Sequence, residues 1–488
     1  MATVEVTPTG EATAVLFPPS QASRKARRTR TEEEADERKV SSSDASVESC
    51  STAGSERDLG AKPLAIPLRG MVQHYAWGKA EDESLVAAIA RGQDDQRMPP
   101  GDGARKFAEL WMGTHQNGHS SVLTPMGAPV AGTWRLEAKL LKDTISSDPE
   151  HWLGNDWSRG DLPYLLKVLS VRQALSIQAH PNKKLAERLH RERPQHYPDA
   201  NHKPEICIPL GHFEALVGFR PIAEVQGFVR SVEELRQLCS RDPADEPESL
   251  GLRELFSRLM RSDAALAEQQ VTALVARLSA KSSAEQSREE DLILRLVKEY
   301  PGDVGIFAVY FLNQVCITAD VPRQYIYCAA DEPHAYLCGD AVECMAISDN
   351  VVRAGLTSKH KDVDKLLEMM TYRDDLLGEL VGFGEQVAPH VVKYDPPVED
   401  FVVYEIDGPV VEGLYLPHAA ITLCVGGSFH VDFQHVGSPE DDNGWVGPAQ
   451  DSTGPQAIGM GQTFFSRAGS ELVVLGKPGG GKIFVATY

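Results

Sequence analysis

The spacing of hydrophobic residues changes twice along this chain, and that change limits the folds it can adopt. Short runs in which apolar and polar residues alternate occur from about residue 64 to 221 and again from about residue 304 to the end. Such alternation is typical of β-strands, because successive side chains point to opposite faces. Between residues 222 and 303 apolar residues recur every three or four positions, which predicts helices. The sequence therefore predicts a mainly β protein with an all-helical insertion.

Local sequence signals mark the two ends of the helical stretch. Ser231 and Glu234 have the spacing of a capping box, so we expect a helix to begin there. Pro301 and Gly302 end the last helix, because neither residue continues a helix easily. We assign the apolar stripes in between to the core and see no cofactor site among them.

The predicted domains follow from these changes in spacing and from composition. Residues 1–62 are rich in Thr, Ser and Ala and carry a basic run, 24–30, directly before an acidic run, 32–37. This composition predicts a disordered, solvated N-terminal tail. The folded part is predicted to be a β domain at 63–221 and 304–394, the helical insertion at 222–303, and a second β domain at 395–488, where short strands separated by turn residues indicate a sandwich or barrel.

Charge and cysteine content exclude several classes of function. The net charge of −21 argues against a general nucleic-acid or anionic-membrane surface, although it does not exclude an anionic small substrate. The eight cysteines show no CxxC pair, which favours buried free thiols in a reducing compartment. No run of 18 apolar residues and no signal-type apolar core are present. We therefore expect a cytoplasmic protein without a membrane or nucleic-acid partner.

The clearest candidate site begins in residues 174–180, which alternate strictly. The apolar face of this predicted strand carries Leu175, Ile177 and Ala179, and the polar face carries Ser176, Gln178 and His180. Residues two apart on one face lie about 6.6 Å apart, so an amide oxygen and an imidazole nitrogen can converge on one ion.

Two later segments contribute further candidate site residues. The first carries His202, Lys203 and Glu205, and the second runs from His334 to Lys359. Two imidazoles, one carboxylate and one amide oxygen form a ligand group suited to zinc, and also to iron or manganese. Arg353 in the second segment offers a guanidinium fork, and Lys359 offers a point charge, so the pair is suited to binding a phosphate.

Two further features need interpretation. Lys167 interrupts the apolar run 163–172, so it either extends its amine to the surface or faces a polar cavity. The run 476–482 has the spacing of a phosphate-binding P-loop up to its lysine. However, Ile483 stands where such loops have Ser or Thr, and an alternating strand follows instead of a helix. We interpret this run as a hairpin turn.

Several motifs together resemble the type I phosphomannose isomerases over roughly residues 64–488. They occur in the family's order and are YAWG (75–78), ELWMG (109–113), LPYLLKVL (162–169), LSIQAHP (175–181), NHKPE (201–205), PHAYLCGD (333–340) and SDNVVRAGLT (348–357). The resemblance implies a cupin-type jelly-roll catalytic domain, interrupted by a helical domain and followed by a C-terminal jelly roll.

The resemblance also implies an activity and assigns residues to it. The implied enzyme is a zinc-dependent aldose–ketose isomerase that interconverts mannose 6-phosphate and fructose 6-phosphate through an enediol, supplying mannose for GDP-mannose and glycosylation. The implied ligands of one Zn²⁺ are Gln178, His180, Glu205 and His334. Ser176, Lys167, Lys203, Arg353 and Lys359 are implied to line the sugar-phosphate pocket, with His202, Tyr336 and Asp349 close to the chemistry. A monomer is expected.

The proton-transfer base stays open at the level of sequence. The reaction removes a proton from C2 and returns one to C1, so the base must lie within hydrogen-bond reach of the carbon-bound proton. Lys203, His202, Asp349 and a water on the metal all remain candidates. Lys203 and Arg353 also offer fixed positive charge, which stabilises a developing oxyanion.

Two other functions are compatible with these residues. One is a different cupin metalloenzyme, such as an iron oxygenase, although its usual His-x-His with a nearby Glu is absent. Metal analysis with an oxygen-consumption assay separates the two. The other is a non-catalytic sugar-phosphate-binding cupin, although a binding module has no need of a complete ligand set. An assay for turnover of mannose 6-phosphate decides between binding and catalysis.

Overall fold

The computed structural model describes residues 3–6, 12–15, 62–93, 105–130, 133–240, 246–435, 451–476 and 481–488. Residues 1–61 and 62–488 form two separate compact units. In the first unit, strands β1 (Thr3–Val6) and β2 (Ala12–Val15) pair in an antiparallel manner. The rest of the predicted disordered tail, apart from Lys62, lies outside the described residues.

The second unit begins with strands that contribute to two sheets. In chain order the elements are β3 (Ala65–Arg69), β4 (Met71–Gln73), α1 (Leu85–Gln93), β5 (Glu109–Met112), β6 (Ser121–Val130), β7 (Thr133–Leu140), α2 (Leu141–Ser147), α3 (Pro149–Leu153), a 3-10 helix (Gly154–Arg159), β8 (Tyr164–Val171), β9 (Ile177–Ala179), α4 (Lys183–Glu192) and β10 (Glu205–Phe219). Asn182 caps α4 by accepting a hydrogen bond from the Leu185 N–H, which fixes the turn after β9.

The predicted helical insertion is helical throughout its described part. Its elements are α5 (Ile222–Ser231), α6 (Glu233–Cys239), a 3-10 helix (Pro247–Ser249), α7 (Leu252–Met260), α8 (Ala264–Ser279) and α9 (Arg288–Glu299). Its apolar stripes are buried in one core, as the spacing predicts; Leu255, Leu274 and Ile293 are examples. A 3-10 helix (Val304–Tyr310) follows the insertion, where the sequence predicted that strand character resumes.

The capping box predicted at Ser231 is wrong. Ser231 is the last residue of α5, and α6 follows it after Val232, which makes no side-chain cap. A capping box exists instead at Ser287 and Glu290, where α9 begins. The spacing alone could not show that the preceding helix continues through Ser231.

The remaining elements are mainly strands. They are β11 (Leu312–Ile317), β12 (Gln324–Cys328), β13 (His334–Ala346), β14 (Val352–Gly355), α10 (Val363–Met369), α11 (Leu377–Leu380), β15 (Val381–Phe383), β16 (Glu385–Ala388), β17 (Val391–Tyr394), β18 (Val402–Ile406), β19 (Val410–Leu416), β20 (Ala420–Gly426), β21 (Ser428–His435), β22 (Asp451–Ser452), β23 (Gln456–Gly459), β24 (Thr463–Ser466), β25 (Ser470–Gly476) and β26 (Lys482–Thr487). The prediction of a mainly β protein with a helical insertion is confirmed.

The strands of the second unit form three antiparallel sheets. A ten-stranded sheet has the order β15-β12-β10-β13-β8-β5-β4, with β11 on β10, β9 on β13, and β14 on β9. A nine-stranded sheet has the order β16-β17-β18-β26-β20-β24-β3-β6-β7, and a five-stranded sheet contains β19-β25-β21-β22 with β23 on β21. One hydrophobic core lies between the first two sheets and another between the last two.

Sheet pairing crosses the boundary that the sequence suggested at residue 395. Strand β3, near the start of the folded part, pairs with β24 near its end, so that Leu68 lies opposite Thr463. Strand β17, which precedes the boundary, pairs with β18, which follows it. The two β segments therefore share a sheet, and the proposed domain limits remain a prediction.

The hairpin predicted for residues 476–482 is wrong. Strand β25, which ends at Gly476, pairs with β19 and β21, whereas β26, which begins at Lys482, pairs with β18 and β20. The segment therefore connects two different sheets. Its central residues, 477–480, lie outside the described part of the chain. A strand rather than a helix follows it, as the sequence predicts.

The cysteines agree in part with the expectation of buried free thiols. The seven cysteines in the described residues are free thiols, as predicted. The expectation that they are buried holds for five of them, whereas Cys316 is exposed and Cys338 is partly exposed. Among the helices that the structure describes, none has both the length and the apolar character needed to cross a membrane.

Candidate active site

The ten-stranded sheet presents a row of polar side chains on the face opposite its main core. On β8, Leu166 and Val168 pack into the core between the sheets, so Lys167 points away from it. Register places Lys167 opposite Trp111 of β5 and Glu343 of β13. The unusual lysine in an apolar run therefore faces a polar cavity, which is the second of the two interpretations that the sequence left open.

The cavity has a volume of about 450 Å³ and gathers most of the predicted site residues. Those that line it are Lys167, Ser176, Gln178, Lys203, Glu205, Tyr336, Asp349, Arg353 and Lys359. Strand β9 lies between two other strands of the site, since Gln178 lies opposite both His334 of β13 and Arg353 of β14. The short alternating run around Gln178 thus joins the later segments at one place.

His180, His334 and Glu205 form a buried cluster beside the cavity. The Nε2 atom of each histidine lies 3.5 Å from the same carboxylate oxygen, Oε2 of Glu205. The histidines are 0% and 1% exposed, and neither Nε2 atom has a hydrogen-bond partner among the described residues. Three potential ligand atoms of buried residues therefore converge on one point.

The ring orientations leave the converging nitrogens available to an ion. Nδ1 of His180 lies 2.8 Å from the carbonyl oxygen of Asn350, and Nδ1 of His334 lies 3.4 Å from the carbonyl oxygen of Glu332. A carbonyl can only accept, so each Nδ1 carries the proton and donates it. In a neutral ring the Nε2 lone pair is then free, which is the arrangement that metal-binding histidines adopt.

Three acceptors aimed at one point need a positive charge between them. Burial opposes charge on both rings and lowers the pKa of His180 to about 4. In His334 burial is outweighed by Cys328 and Glu205, which raise its pKa to about 10. A divalent cation satisfies all three atoms at once. Bonds of about 2.0–2.1 Å at tetrahedral angles separate ligand atoms by about 3.3 Å, close to the spacing observed here.

Gln178 is the fourth predicted ligand, and it lies next to this cluster. Its side chain is 9% exposed and lines the cavity. Its Oε1 atom accepts a 3.4 Å hydrogen bond from the Ser176 hydroxyl. Its position opposite His334 across β9 and β13 places an amide oxygen on the cavity side of the cluster.

Lys167 is committed to carboxylates. Its Nζ atom lies 2.9 Å from Glu343 and 3.6 Å from Glu109, and it lies over the Trp111 ring. Burial tends to lower the pKa of this amine, but Glu343 and Glu109 outweigh that effect and raise it. Lys167 is therefore charged and neutralised within the wall of the cavity.

Arg353 and Lys359 remain without a carboxylate partner among the described residues. Burial lowers the pKa of Arg353, and burial together with the nearby Arg353 lowers the pKa of Lys359. Lys359 lies 5.6 Å from the centre of the Tyr75 ring. Two cations without a carboxylate partner that line the same cavity as the hydroxyls of Ser176 and Thr357 are suited to binding a phosphate.

Asp349 is positioned by a buried histidine. His115 is 2% exposed, and its Nε2 atom lies 3.3 Å from Oδ1 of Asp349. Its Nδ1 accepts the Asn117 N–H at 3.2 Å, so the proton of the neutral ring is on Nε2, facing Asp349. Burial raises the pKa of Asp349, but His115 outweighs burial and the pKa is lowered overall. Asp349 is therefore an ionised carboxylate at the cavity wall.

His202 is the one predicted site residue that lies elsewhere. Its Nε2 atom contacts Asp400 at 2.9 Å, and it lines a different cavity together with Lys183 and Tyr327. Tyr336 does line the site, where its hydroxyl lies 3.4 Å from Cys328 Sγ. The neighbours His202 and Lys203 thus point into different cavities, and only Lys203 reaches the cluster.

The sequence reasoning missed three buried residues at the site, namely Glu109, Glu343 and His115. Glu343 interrupts the apolar run 341–347 in the way that Lys167 interrupts its own run, which was the available signal. Glu109 alternates with Trp111 on β5, so both side chains lie on the cavity face of the sheet. His115 carried no signal, because its partner Asp349 is distant in sequence.

Two family models match this chain. The model described as the catalytic domain of type I phosphomannose isomerase matches residues 65–222. The model described as the helical insertion domain of type I phosphomannose isomerase matches residues 229–312. The two matches follow the order of the β and helical parts described above.

Curated relatives and solved structures agree with these matches. The chain is 41% identical to human mannose-6-phosphate isomerase over 392 residues, which is 75% of this chain and 89% of the human protein. It is 42% identical to Arabidopsis thaliana mannose-6-phosphate isomerase 2, over 70% of this chain and 78% of that protein. A mutant of Salmonella typhimurium phosphomannose isomerase and a zinc-bound mannose 6-phosphate isomerase each superpose with a TM-score of 0.68, at 27% identity, over 87% of this chain and 99% of theirs.

Proposed function

This chain belongs to the type I phosphomannose isomerase family and is an isomerase of mannose 6-phosphate, and we propose that it forms fructose 6-phosphate with the aid of a bound zinc ion. The observation that carries the proposal is the convergence of His180 and His334 on one oxygen of Glu205. A zinc-bound structural relative supports the choice of metal.

The residues present fit a zinc ion. The Nε2 atoms of His180 and His334 are buried and lack partners among the described residues, and Glu205 adds a carboxylate oxygen at ligand spacing. With the amide oxygen of Gln178 the set is two nitrogens and two oxygens, within the range that zinc accepts. When bound, such an ion supplies positive charge that stabilises negative charge developing on the sugar oxygens.

Arg353 and Lys359 are proposed to hold the phosphate. Other cations at the cavity are already neutralised, Lys167 by Glu343 and Glu109, and Lys203 by Glu205. The positive charge without a carboxylate partner among the described cavity residues is therefore that of Arg353 and Lys359. A phosphate bound there fixes one end of the open-chain sugar, which orients C1 and C2 toward the cluster of His180, Glu205 and His334.

The proton transfer is proposed to pass between C2 and C1 of the open-chain sugar. A base takes the proton from C2, the electron pair forms an enediolate, and a proton returns to C1 to give the ketose. Two side chains in the cavity have the position for this role, Lys203 and Asp349. Asp349 is ionised and held by His115, whereas Lys203 offers a positive charge beside Glu205. We infer that the base is not His202, because His202 lies in another cavity, and the other candidates from the sequence remain.

The expected cellular supply of mannose for GDP-mannose and glycosylation remains a prediction, as do the monomeric state and the cytoplasmic location. The alternative of a non-catalytic sugar-phosphate-binding cupin does not fit membership of an isomerase family. Metal analysis and an oxygen-consumption assay distinguish a zinc isomerase from an iron oxygenase, because only the oxygenase consumes oxygen during turnover.

A coupled assay tests the proposal with two substrates. Zinc-loaded protein should convert mannose 6-phosphate to fructose 6-phosphate and should act far more slowly on unphosphorylated mannose, because Arg353 and Lys359 then bind nothing. Equal activity on the two sugars would contradict the phosphate subsite. No turnover of mannose 6-phosphate with zinc supplied would contradict the function itself.

A further inference from the structure

A second group of metal-ligating side chains lies on the ten-stranded sheet, away from the cavity. It consists of His212 and Glu214 on β10 and Cys338 on β13, and their ligand atoms all lie within 4.8 Å of one another. A fourth residue, Cys316 of β11, adjoins it. None of these four residues lines the proposed active-site cavity.

Sheet register builds this group. Glu214 lies opposite Cys338 on one neighbouring strand and opposite Cys316 on the other, so the three side chains share one face. A β-bulge is required for this arrangement. Ala215 pairs with Tyr336 while Glu214 pairs with Cys338, so Leu337 is the extra residue. Because of the bulge, Cys338 and Tyr336 lie on opposite faces of the sheet, and Tyr336 is the one that points to the active site.

His212 is oriented by two contacts. Its Nε2 atom lies 3.0 Å from Oε1 of Glu214, and its Nδ1 atom lies 3.8 Å from the Cys316 sulfur. The Nε2 atom of His212 therefore faces the other two ligand residues, and its Nδ1 atom contacts Cys316. The contact with Cys316 helps to hold the ring in this orientation.

We propose that His212, Glu214 and Cys338 form a second metal site, selective for a borderline or soft divalent cation of the zinc and cadmium class. One imidazole nitrogen, one carboxylate oxygen and one thiolate match the ligands of such ions, whereas magnesium and calcium prefer oxygen alone. The His212 side chain is 56% exposed, so the fourth coordination position is open to water or to an exchanging ligand.

Two neighbouring groups set the conditions for binding. Arg295 forms an ion pair with Glu214 and competes with the metal for its carboxylate. Burial and the charge of Glu214 raise the pKa of the Cys338 thiol, with Arg295 opposing them. A metal must therefore displace a proton from Cys338 and share Glu214 with Arg295.

Titration of the zinc-loaded enzyme with Cd²⁺ tests this site. Cadmium bound to a thiolate absorbs in the ultraviolet, and the proposed catalytic ligands include no thiolate, so the band reports the second site. The wild type should develop the band with one equivalent of Cd²⁺, and Cys338→Ser should lose it while retaining isomerase activity and melting temperature. Cys316→Ala should keep the band but bind Cd²⁺ roughly tenfold more weakly.

His212→Ala provides an independent variant, because removing an exposed side chain should leave the fold intact. It should weaken Cd²⁺ binding as Cys338→Ser does. The proposal is overturned if Cys338→Ser retains the band, or if the wild type develops none. It does not rest on the proposed function, since the readout is metal binding at residues outside the active site.

Discussion

The Nζ atom of Lys203 lies 2.8 Å from Oε1 of Glu205, the carboxylate oxygen that does not face the histidines. One carboxylate thus divides its two oxygens between a cation at the cavity and the buried histidine pair. Burial tends to raise the pKa of Glu205, but Lys203 and His180 outweigh it and hold the pKa well below its ordinary value. Glu205 is therefore ionised, as a metal ligand must be, and Lys203 is held beside the proposed metal site.

Lys203→Ala should reduce turnover more than substrate affinity. Lys203 supplies positive charge next to Glu205 and the proposed metal site, so its contribution should be largest when negative charge develops on the sugar. We expect kcat to fall about 10²- to 10³-fold with a small change in KM, measured in the coupled assay. Zinc content should be measured in parallel, because Glu205 loses a partner. A change in KM alone would show that Lys203 only binds substrate.

Asp349→Asn and His202→Asn form a matched pair, since only Asp349 lies in the active-site cavity. Asp349→Asn removes a carboxylate that is held ionised by His115, and we expect kcat to fall by about 10²–10⁴ if it carries the proton. His202→Asn should leave kcat near the wild-type value. Exchange of the C2 hydrogen with solvent distinguishes loss of proton transfer from loss of binding. A large loss in His202→Asn would contradict the geometry.

Lys359 should make substrate binding sensitive to alkaline pH. Burial and Arg353 lower its pKa, so the cation is lost as pH rises through that lowered value, and phosphate affinity falls with it. KM for mannose 6-phosphate should therefore increase at alkaline pH, below the ordinary titration of a lysine. Lys359→Arg keeps its charge and should show a flatter KM profile over the same range. Parallel profiles in the two proteins would exclude Lys359 from the phosphate subsite.

Lys167→Met should destabilise the fold. Lys167 neutralises the buried Glu343 and Glu109, and its removal leaves both carboxylates without their cation. Breaking such a buried pair costs roughly 3–5 kcal/mol, measurable by urea denaturation. Lys393→Met is the control, because Lys393 pairs with Asp395 at the surface, where a pair contributes about 0–1 kcal/mol. Equal effects of the two substitutions would show that Lys167 is not needed to neutralise its partners.

Sequence reasoning reached the β and helical parts and most residues of the site because both depend on local patterns. Alternation alone placed Gln178 and His180 on one face, and the resemblance joined them to Glu205 and His334. Partners from distant segments could not be found in this way. The pairing of Lys167 with Glu343 and of His115 with Asp349 depends on strand register and loop packing, which a single sequence does not contain.

The errors have the same physical origin. The resemblance placed His202 near the chemistry together with Lys203, but His202 contacts Asp400 and lines another cavity. The segment from Gly476 to Lys482 looked like a hairpin because two strands flank it, but those strands pair in different sheets. In both cases the deciding contact is long-range in sequence.

Activity as a function of zinc tests the central claim most directly. Metal-free protein should be inactive toward mannose 6-phosphate and should regain activity as Zn²⁺ is added, whereas Glu205→Ala should remain inactive at the same zinc concentrations. Glu214→Ala, which changes the second cluster only, should respond as the wild type does. Full activity without metal, or restoration of Glu205→Ala by zinc, would contradict a catalytic metal site built on His180, Glu205 and His334.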